Sequence, residues 1–434
     1  MRICVYGLWH LGCVTAACLA EHFPTVGLDP DPNTVADLQA GEPPIFEPGL
    51  SDLIRAGLSR GTLTFTNDVP EALSACEIVW VAFDTPVDDE DRADAAYVEA
   101  RVASLFPHLC EGSIVLISSQ IPVGTTRRIE DAYRHAYPAR DVRFAYSPEN
   151  LRLGKALEVF RKPGRIVIGT RTAQDCGLLR SLLATFSDNL IWMSVESAEM
   201  TKHALNAFLA NSIAFINEVA GICEEAGADA KQVEIGLKSD ERIGPRAYLS
   251  AGAPFAGGTL ARDVAFLTAM SSAVGRRAPL LESIKESNNL QKDWPRHKLQ
   301  SVLGNLAGRT VAVLGLTYKP GTNTLRRSAA IELCRWLRGC QTNVIAYDPA
   351  VQQLPDDLSC IVTLAPSALT ALEGSDAVVI ATEWPQFREL KGHDLIRTMR
   401  TPIVLDANRF LEKSLQPTPS SLVYFAVGTP KGLV

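Results

Sequence analysis

The stretch Gly7-Leu8-Trp9-His10-Leu11-Gly12 carries the first chemistry legible in the chain. It follows a strand candidate at Arg2–Tyr6 and opens helical spacing over Leu11–His22. A second strand candidate, Thr25–Leu28, then ends at Asp29. In such a unit the first glycine makes the tight turn and the last lets helix and strand pack closely. The helix N-terminus faces a pyrophosphate, and the acidic residue takes the ribose hydroxyls. A carboxylate at Asp29 would repel a 2′-phosphate, which favours NAD over NADP. Trp9 stands at the middle position, where glycine lets the backbone approach the phosphates, so the fingerprint is incomplete. A unit of this shape that binds no nucleotide stays open as the plainer alternative.

The elements that must position this turn repeat along the chain. Further strand candidates lie at Glu77–Ala82, Ser113–Ser118 and Arg165–Ile168. Near-continuous apolar strands separated by helices argue for a parallel sheet covered on both faces. From Ser197 to Ala226 helical spacing runs without proline, which predicts a long connecting helix. After Lys298 the rhythm restarts: Thr310–Leu314 and Gly315, a helix at Ala329–Arg338, then Asn343–Tyr347 ending at Asp348. Strands at Ala377–Ala381 and Ile403–Leu405 follow. The fold class expected is therefore α/β: two Rossmann-like parallel-sheet domains joined by a long central helix and a helical region. The boundaries expected are 1–190, 191–300 and 301–434. The Pro/Gly-rich stretch Gly244–Gly258 reads as a structured loop.

Composition narrows the class. With 434 residues, 47% hydrophobic and 21% charged, the chain is an ordinary globular protein of two or three domains. A net charge of -7 argues against a general nucleic-acid binder. There is no signal-peptide pattern and no unbroken run of 18 apolar residues, so a cytoplasmic protein off the membrane is expected. The ten scattered cysteines form no CxxC pair and suit reduced thiols better than a disulfide framework. His10 and His203 read as polar surface side chains, and no metal-ligand spacing is present.

Across essentially the whole chain the sequence resembles the UDP-glucose/GDP-mannose dehydrogenase family. The resemblance rests on GLWHLGCVTAACLAE, PPIFEPGL (43–50), DTPVDDEDRADAAYV (84–98), IPVGTT (121–126), SPENLRLGKAL (147–157), KPGRIVIG (162–169) and the segment 198–220. PFAGGTLARD (254–263), GLTYKPGTNTLRRS (315–328) and ATEWPQF (381–387) complete it. It implies an N-terminal NAD domain, a helical dimerisation core, a C-terminal domain gripping the nucleotide diphosphate, and a homodimer. It also implies an active site in the cleft between the α/β domains. Besides the fingerprint residues Gly7, Trp9, Gly12 and Asp29, it places Leu11, Thr85, Pro86, Gln120, Arg262 and Arg326 on the cofactor side.

Oxidising a sugar alcohol requires removal of the hydroxyl proton, for which a desolvated Lys or a carboxylate acting through water can serve. Lys202 and Asn206 stand four apart on the long helix and share a face. The resemblance pairs them with Asp263. Met200, Ala204, Leu205 and Phe208 suggest a mostly buried helix, which weighs against a merely solvated Lys202. For a second oxidation the family adds a cysteine thiolate that captures the aldehyde; the aligned residue here is Thr259. An unassisted hydroxyl is a poor nucleophile at neutral pH, and no cysteine lies between Cys223 and Cys334 to replace it. The motif at Ser147–Leu153 keeps Glu149 but has Leu153 for a second Glu, and Gln120 replaces a Thr. The residues for hydride transfer are kept and those for the covalent, hydrolytic half are changed.

On the substrate side the resemblance brings in Leu151, Arg242 (reaching a partner subunit's substrate), Phe255, Gly257, Tyr318 and Lys319. Near Asp406 an expected Arg is Asn408, with Arg409 next to it as a possible substitute. The expectation is an NAD-dependent oxidoreductase on a nucleotide-activated sugar, UDP-linked, that makes one two-electron oxidation to an aldehydo- or keto-sugar. Polysaccharide or secondary-metabolite sugar synthesis is the setting the family implies. A redox-neutral epimerase, or a non-catalytic nucleotide-sugar-binding protein closed by Trp9, are the alternatives.

Overall fold

The computed structural model describes residues 1–86, 88, 93–149, 151–172, 176–256 and 258–430. The chain forms two compact units, Met1–Leu205 and Asn206–Val434, whose boundary falls inside one helix. The first unit holds eight strands: β1 (Ile3–Tyr6), β2 (Thr25–Leu28), β3 (Leu63–Thr66), β4 (Ile78–Val81), β5 (Ile114–Ile117), β6 (Arg143–Tyr146), β7 (Ile166–Gly169) and β8 (Leu190–Met193). Their order is β3-β2-β1-β4-β5-β6-β7-β8. β1, β4 and β5 are buried along their full length because helices cover both faces, and an apolar cluster lies on each side. Each such aliphatic side chain contributes about 1.5–3 kcal/mol of burial. The sheet is parallel except where β6 meets β7 antiparallel at Tyr146 and Gly169. The apolar run Arg165–Ile168 marked the strand correctly, but apolar runs carry no direction.

The second sheet has the order β11-β10-β9-β12-β13-β14. Its strands are β9 (Thr310–Leu314), β10 (Asn343–Tyr347), β11 (Thr363–Leu364), β12 (Ala377–Ile380), β13 (Ile403–Leu405) and β14 (Val423–Phe425), all parallel. In both sheets the strand order reverses beside the first strand, between β1 and β4 and between β9 and β12. That is where ligands sit in open α/β sheets.

The long helix runs unbroken from Val195 to Ala226. Among the described residues it is the one helix long and apolar enough to cross a bilayer by length and composition. Its buried polar residues mark it instead as a core helix. Glu224, for example, accepts from the Trp294 indole at 2.9 Å, the Lys298 ammonium at 2.7 Å and the Gly428 N–H at 3.0 Å. Helices Ala230–Ser239, Thr259–Ala273, Pro279–Lys292 and Trp294–Leu303 follow it before β9.

Candidate active site

At the C-terminal end of β1, Gly7 has φ +96° and donates its N–H to the Leu28 carbonyl at 2.9 Å. Gly12 is tighter: a Cβ there would lie 1.7 Å from the Gly7 carbonyl oxygen, so no side chain fits between turn and helix. Helix His10–Leu19 has neither a side-chain cap nor an acid in its first turn, which suits an anion at its N-terminus. Asp29 accepts from the Leu8 N–H at 2.7 Å and the Asp31 N–H at 3.0 Å and stays partly exposed, with acceptor capacity left for ribose hydroxyls. Trp9 has φ −91°, a backbone any residue adopts, and its indole is 49% exposed. Position 9 therefore needs no glycine torsion, and the side chain is half turned to solvent. The residues present fit a dinucleotide.

Around this turn, buried Thr85 donates its hydroxyl to the Gln120 carbonyl at 2.6 Å, while Pro86 is exposed. A cavity of about 90 Å³ beside the helix is lined by Leu11, Thr15, Ser118, Glu149 and Leu151, among others. Lys202 is 6% exposed and its Nζ donates to the main-chain carbonyl of Glu149 at 2.6 Å. The Glu149 carboxylate turns onto the Leu151 N–H at 2.7 Å. Met200 and Phe208, which suggested a buried helix, are themselves exposed, because their spacing puts them on another face.

The surface expectation fails for His203, whereas His10 is partly exposed. His203 is fully buried with its ring 2.9 Å from the Ile121 carbonyl, and His10 Nε2 lies 3.0 Å from Glu47. A backbone carbonyl thus meets the buried His203 ring, and a carboxylate meets that of His10. Glu47 also accepts the Gly154 N–H at 2.8 Å and the Ala156 N–H at 2.9 Å. Glu199, three residues before Lys202, accepts from the Gly124 N–H at 2.6 Å, the Thr126 N–H at 3.0 Å and the Thr126 hydroxyl at 2.7 Å. Burial pushes its carboxyl above the ordinary range. Sequence reasoning missed both carboxylates, although Glu47 stands in PPIFEPGL and Glu199 shares a helix face with Lys202.

In the second unit, Asp263 is fully buried and its carboxylate accepts from the Asn206 side-chain amide. Thr259 is the first residue of helix Thr259–Ala273 and is exposed; Arg262 lies in the same first turn, partly buried. Gly257 lies outside the described residues, and Gly258 has φ +103°. The loop before it is held by amide side chains. Asn217 accepts from the Gly252 N–H at 2.8 Å, Asn408 from the Ala253 N–H at 2.6 Å, and Asn288 from the Phe255 N–H at 2.9 Å. The loop walls a cavity of about 200 Å³ with Phe255, Tyr318, Lys319, Arg327, Glu383 and Asn408 in its lining.

Arg409 is placed differently from expectation, while Arg326 and Arg242 lie at the surface. Arg326 is exposed and it is Arg327, with φ +61°, that lines the cavity. Arg409 does not stand in for the missing Arg at 408: Asp229 draws it away in an ion pair of 2.6 Å. Arg242 is exposed and pairs with Asp240 at 2.7 Å.

The second sheet repeats the turn of the first with one difference. Gly315 has φ +91°, and Asp348 accepts the Leu316 N–H at 2.7 Å, as Asp29 accepts that of Leu8. Asp348 is buried, however, and also accepts from the Thr317 N–H and hydroxyl, the Trp384 indole and the Ala350 N–H. Five donors occupy it; Asp29 has two. Of the two carboxylates, Asp29 is the one suited to a ribose.

Comparison with known proteins agrees with this geometry. Residues 1–187 match the NAD binding domain of the UDP-glucose/GDP-mannose dehydrogenase family, 196–290 its central domain and 312–413 its UDP binding domain. The chain is 36% identical to a UDP-glucose 6-dehydrogenase of Pseudomonas aeruginosa, over 99% of this chain and 98% of that protein. It superposes on a UDP-glucose dehydrogenase from Pyrobaculum islandicum with a TM-score of 0.85 at 30% identity, covering 98% and 97% of the two chains. On a UDP-D-ManNAc dehydrogenase from Pyrococcus horikoshii the TM-score is 0.84 at 25% identity, covering 99% of each. A non-catalytic binding protein is thereby set aside. The chain belongs to the UDP-glucose/GDP-mannose dehydrogenase family and is an NAD-dependent oxidoreductase acting on a nucleotide sugar.

Proposed function

We propose that the protein oxidises a carbinol of a UDP-hexose once, giving an aldehydo- or keto-sugar. The observation that carries the reading is the buried Lys202 amine held on the Glu149 carbonyl, combined with a hydroxyl, Thr259, where a thiol would be needed. NAD, when bound, accepts the two electrons removed from the carbinol. Gly7, Gly12, Leu11 and Asp29 hold the dinucleotide, with Thr85 fixing the Gln120 carbonyl beside it. Lys202 takes the hydroxyl proton. Asn206, bonded to Asp263, orients the hydroxyl, and Glu149 and Leu151 shape the loop against the sugar. Tyr318, Lys319 and Phe255 grip the nucleotide. With no thiol to capture the product, the reaction ends at the carbonyl.

The same reading takes 1–190 as the NAD-binding domain, 191–300 as the dimerisation domain and 301–434 as the nucleotide-sugar domain. Phe208, Phe215 and Ile222 stand exposed at seven-residue intervals on the long helix, an apolar stripe suited to a second copy of the chain in a cytoplasmic homodimer. Light scattering should give twice the chain mass. For the chemistry, the test is the number of NADH formed per UDP-glucose consumed. One is expected; two, with a uronic acid product, would defeat the single-oxidation reading, and none with an epimerised sugar would favour the redox-neutral alternative.

A further inference from the structure

The cavity of the second unit contains an electrostatic contradiction. Lys319 and Arg327 line it and suit a diphosphate, and Lys292 is paired with Glu332 at 3.5 Å. Yet Glu383, following the end of β12, also lines it and carries the sign of charge that would repel such a ligand. The neighbouring side chain that favours its charged form is a neutral carboxamide, Asn408, which lines the same cavity. Arg388 acts on it only through space, its guanidinium lying 4.2 Å over the Phe410 ring. Burial raises the Glu383 carboxyl above its ordinary range. A half-buried carboxylate in an anion pocket is costly unless the ligand brings neutral donors to it.

The position suggests which donors. Open α/β sheets read a ribose diol with an acid at a strand end near the switch point. In this sheet the acid at the end of β10, Asp348, is occupied by five internal donors. Glu383 is the carboxylate at the same strand-end edge that faces the cavity. Asn408 stands beside it in the lining: its amide oxygen is fixed by the Ala253 N–H at 2.6 Å, which leaves the amide nitrogen as the donor able to aim the acid. An Arg at 408 would bring a positive charge into the same lining and compete for Glu383. The carboxamide aims it and leaves it open as an acceptor.

We propose that Glu383, aimed by Asn408, reads the ribose diol of the nucleotide, so that this cavity selects ribo- over 2′-deoxyribonucleoside diphosphates. The proposal rests on the reading that the cavity holds a nucleoside diphosphate. A site built to bond a hydroxyl rejects the analogue lacking it, because its own polar group is then left unpaired.

The experiment is calorimetry on the full chain with UDP and with 2′-deoxy-UDP. UDP should bind at least about tenfold more tightly. Glu383→Ala should bring the two affinities within about twofold of each other, chiefly by weakening UDP. Asn408→Arg, which keeps the carboxylate but pairs it, should collapse the ratio in the same way; unchanged melting temperatures show that both variants fold. Equal binding of the two nucleotides by the unsubstituted protein overturns the proposal. So does a ratio that survives Glu383→Ala, or an equal loss of both ligands. If Glu383→Ala weakens UDP-glucose but leaves UDP untouched, the carboxylate faces the hexose and the proposal is again overturned. Failure of UDP to bind at all is a different result: it removes the nucleotide reading itself.

Discussion

Lys202 Nζ donates to the main-chain carbonyl of Glu149 at 2.6 Å, so the amine is anchored to the backbone of the loop that follows β6. The anchor has a consequence for position. The Glu149 carboxylate turns onto the Leu151 N–H, which fixes the loop from within, and any shift of that loop moves the amine with it. The same stretch of helix is also fixed by Glu199 and His203, which bond the segment Ile121–Thr126. A buried amine on a helix segment bonded to two loops is preorganised for proton transfer.

Lys202→Met tests that role directly. Turnover should fall by about 10²–10⁴-fold, the usual contribution of a positioned acid–base group. The affinity for NAD, measured by calorimetry, should change by no more than about twofold, because the turn at Gly7–Gly12 is untouched. Loss of NAD binding together with turnover would show that Lys202 supports the fold and not the chemistry.

Thr259→Cys tests the limit on the second oxidation. The residue begins helix Thr259–Ala273 and is exposed, so a thiol there would sit in the first turn, where the helix end favours its ionised form. The count of NADH per sugar is expected to rise from one toward two. An unchanged count of one would mean that further differences, such as Leu153 and Gln120, also block the hydrolytic half.

How much of this was legible in the chain divides by the range of the interaction. Glycines, strand runs and the helix from Ser197 to Ala226 are local signals, and each lies where its pattern put it. Asp29 was readable because the turn that needs it is close in sequence. Glu47, which bonds Gly154 and Ala156 more than a hundred residues away, was not. Arg409 illustrates the opposite error. Its neighbour Asn408 suggested compensation, but Asp229, 180 residues earlier, takes the guanidinium. The burial of His203 was hidden for the same reason, since its partner Ile121 lies 82 residues away.

Gly12→Ala probes the close approach of turn and helix. The added methyl would stand 1.7 Å from the Gly7 oxygen, and that oxygen belongs to the backbone and cannot swing aside. Roughly 1–3 kcal/mol of stability should be lost to the forced shift. NAD binding should fall with it, because the displaced first turn no longer aims its N–H groups at one point. Thermal unfolding and NAD titration check the two effects; wild-type behaviour in both would deny the contact.

Acid sensitivity should trace in part to Glu196. Burial raises its carboxyl, but hydrogen bonds from Arg171 and Arg127 outweigh that and hold it at about 2, against an ordinary 4.5. Because the folded form holds the depressed value, its stabilisation is fully present above pH 4.5 and is lost as pH falls toward 2. Its side chain is 27% exposed, so screening reduces the contribution to roughly 1–2 kcal/mol. Glu196→Gln should therefore be less stable than wild type at pH 7, and the two denaturant curves should converge as pH approaches 2. The variant keeps a residual acid slope, because Glu234 is held at about 2 by Lys231, Lys238 and Ser250 despite its burial. Curves that stay parallel from pH 7 to pH 2 would show that the Arg171 pair adds no pH-dependent stability.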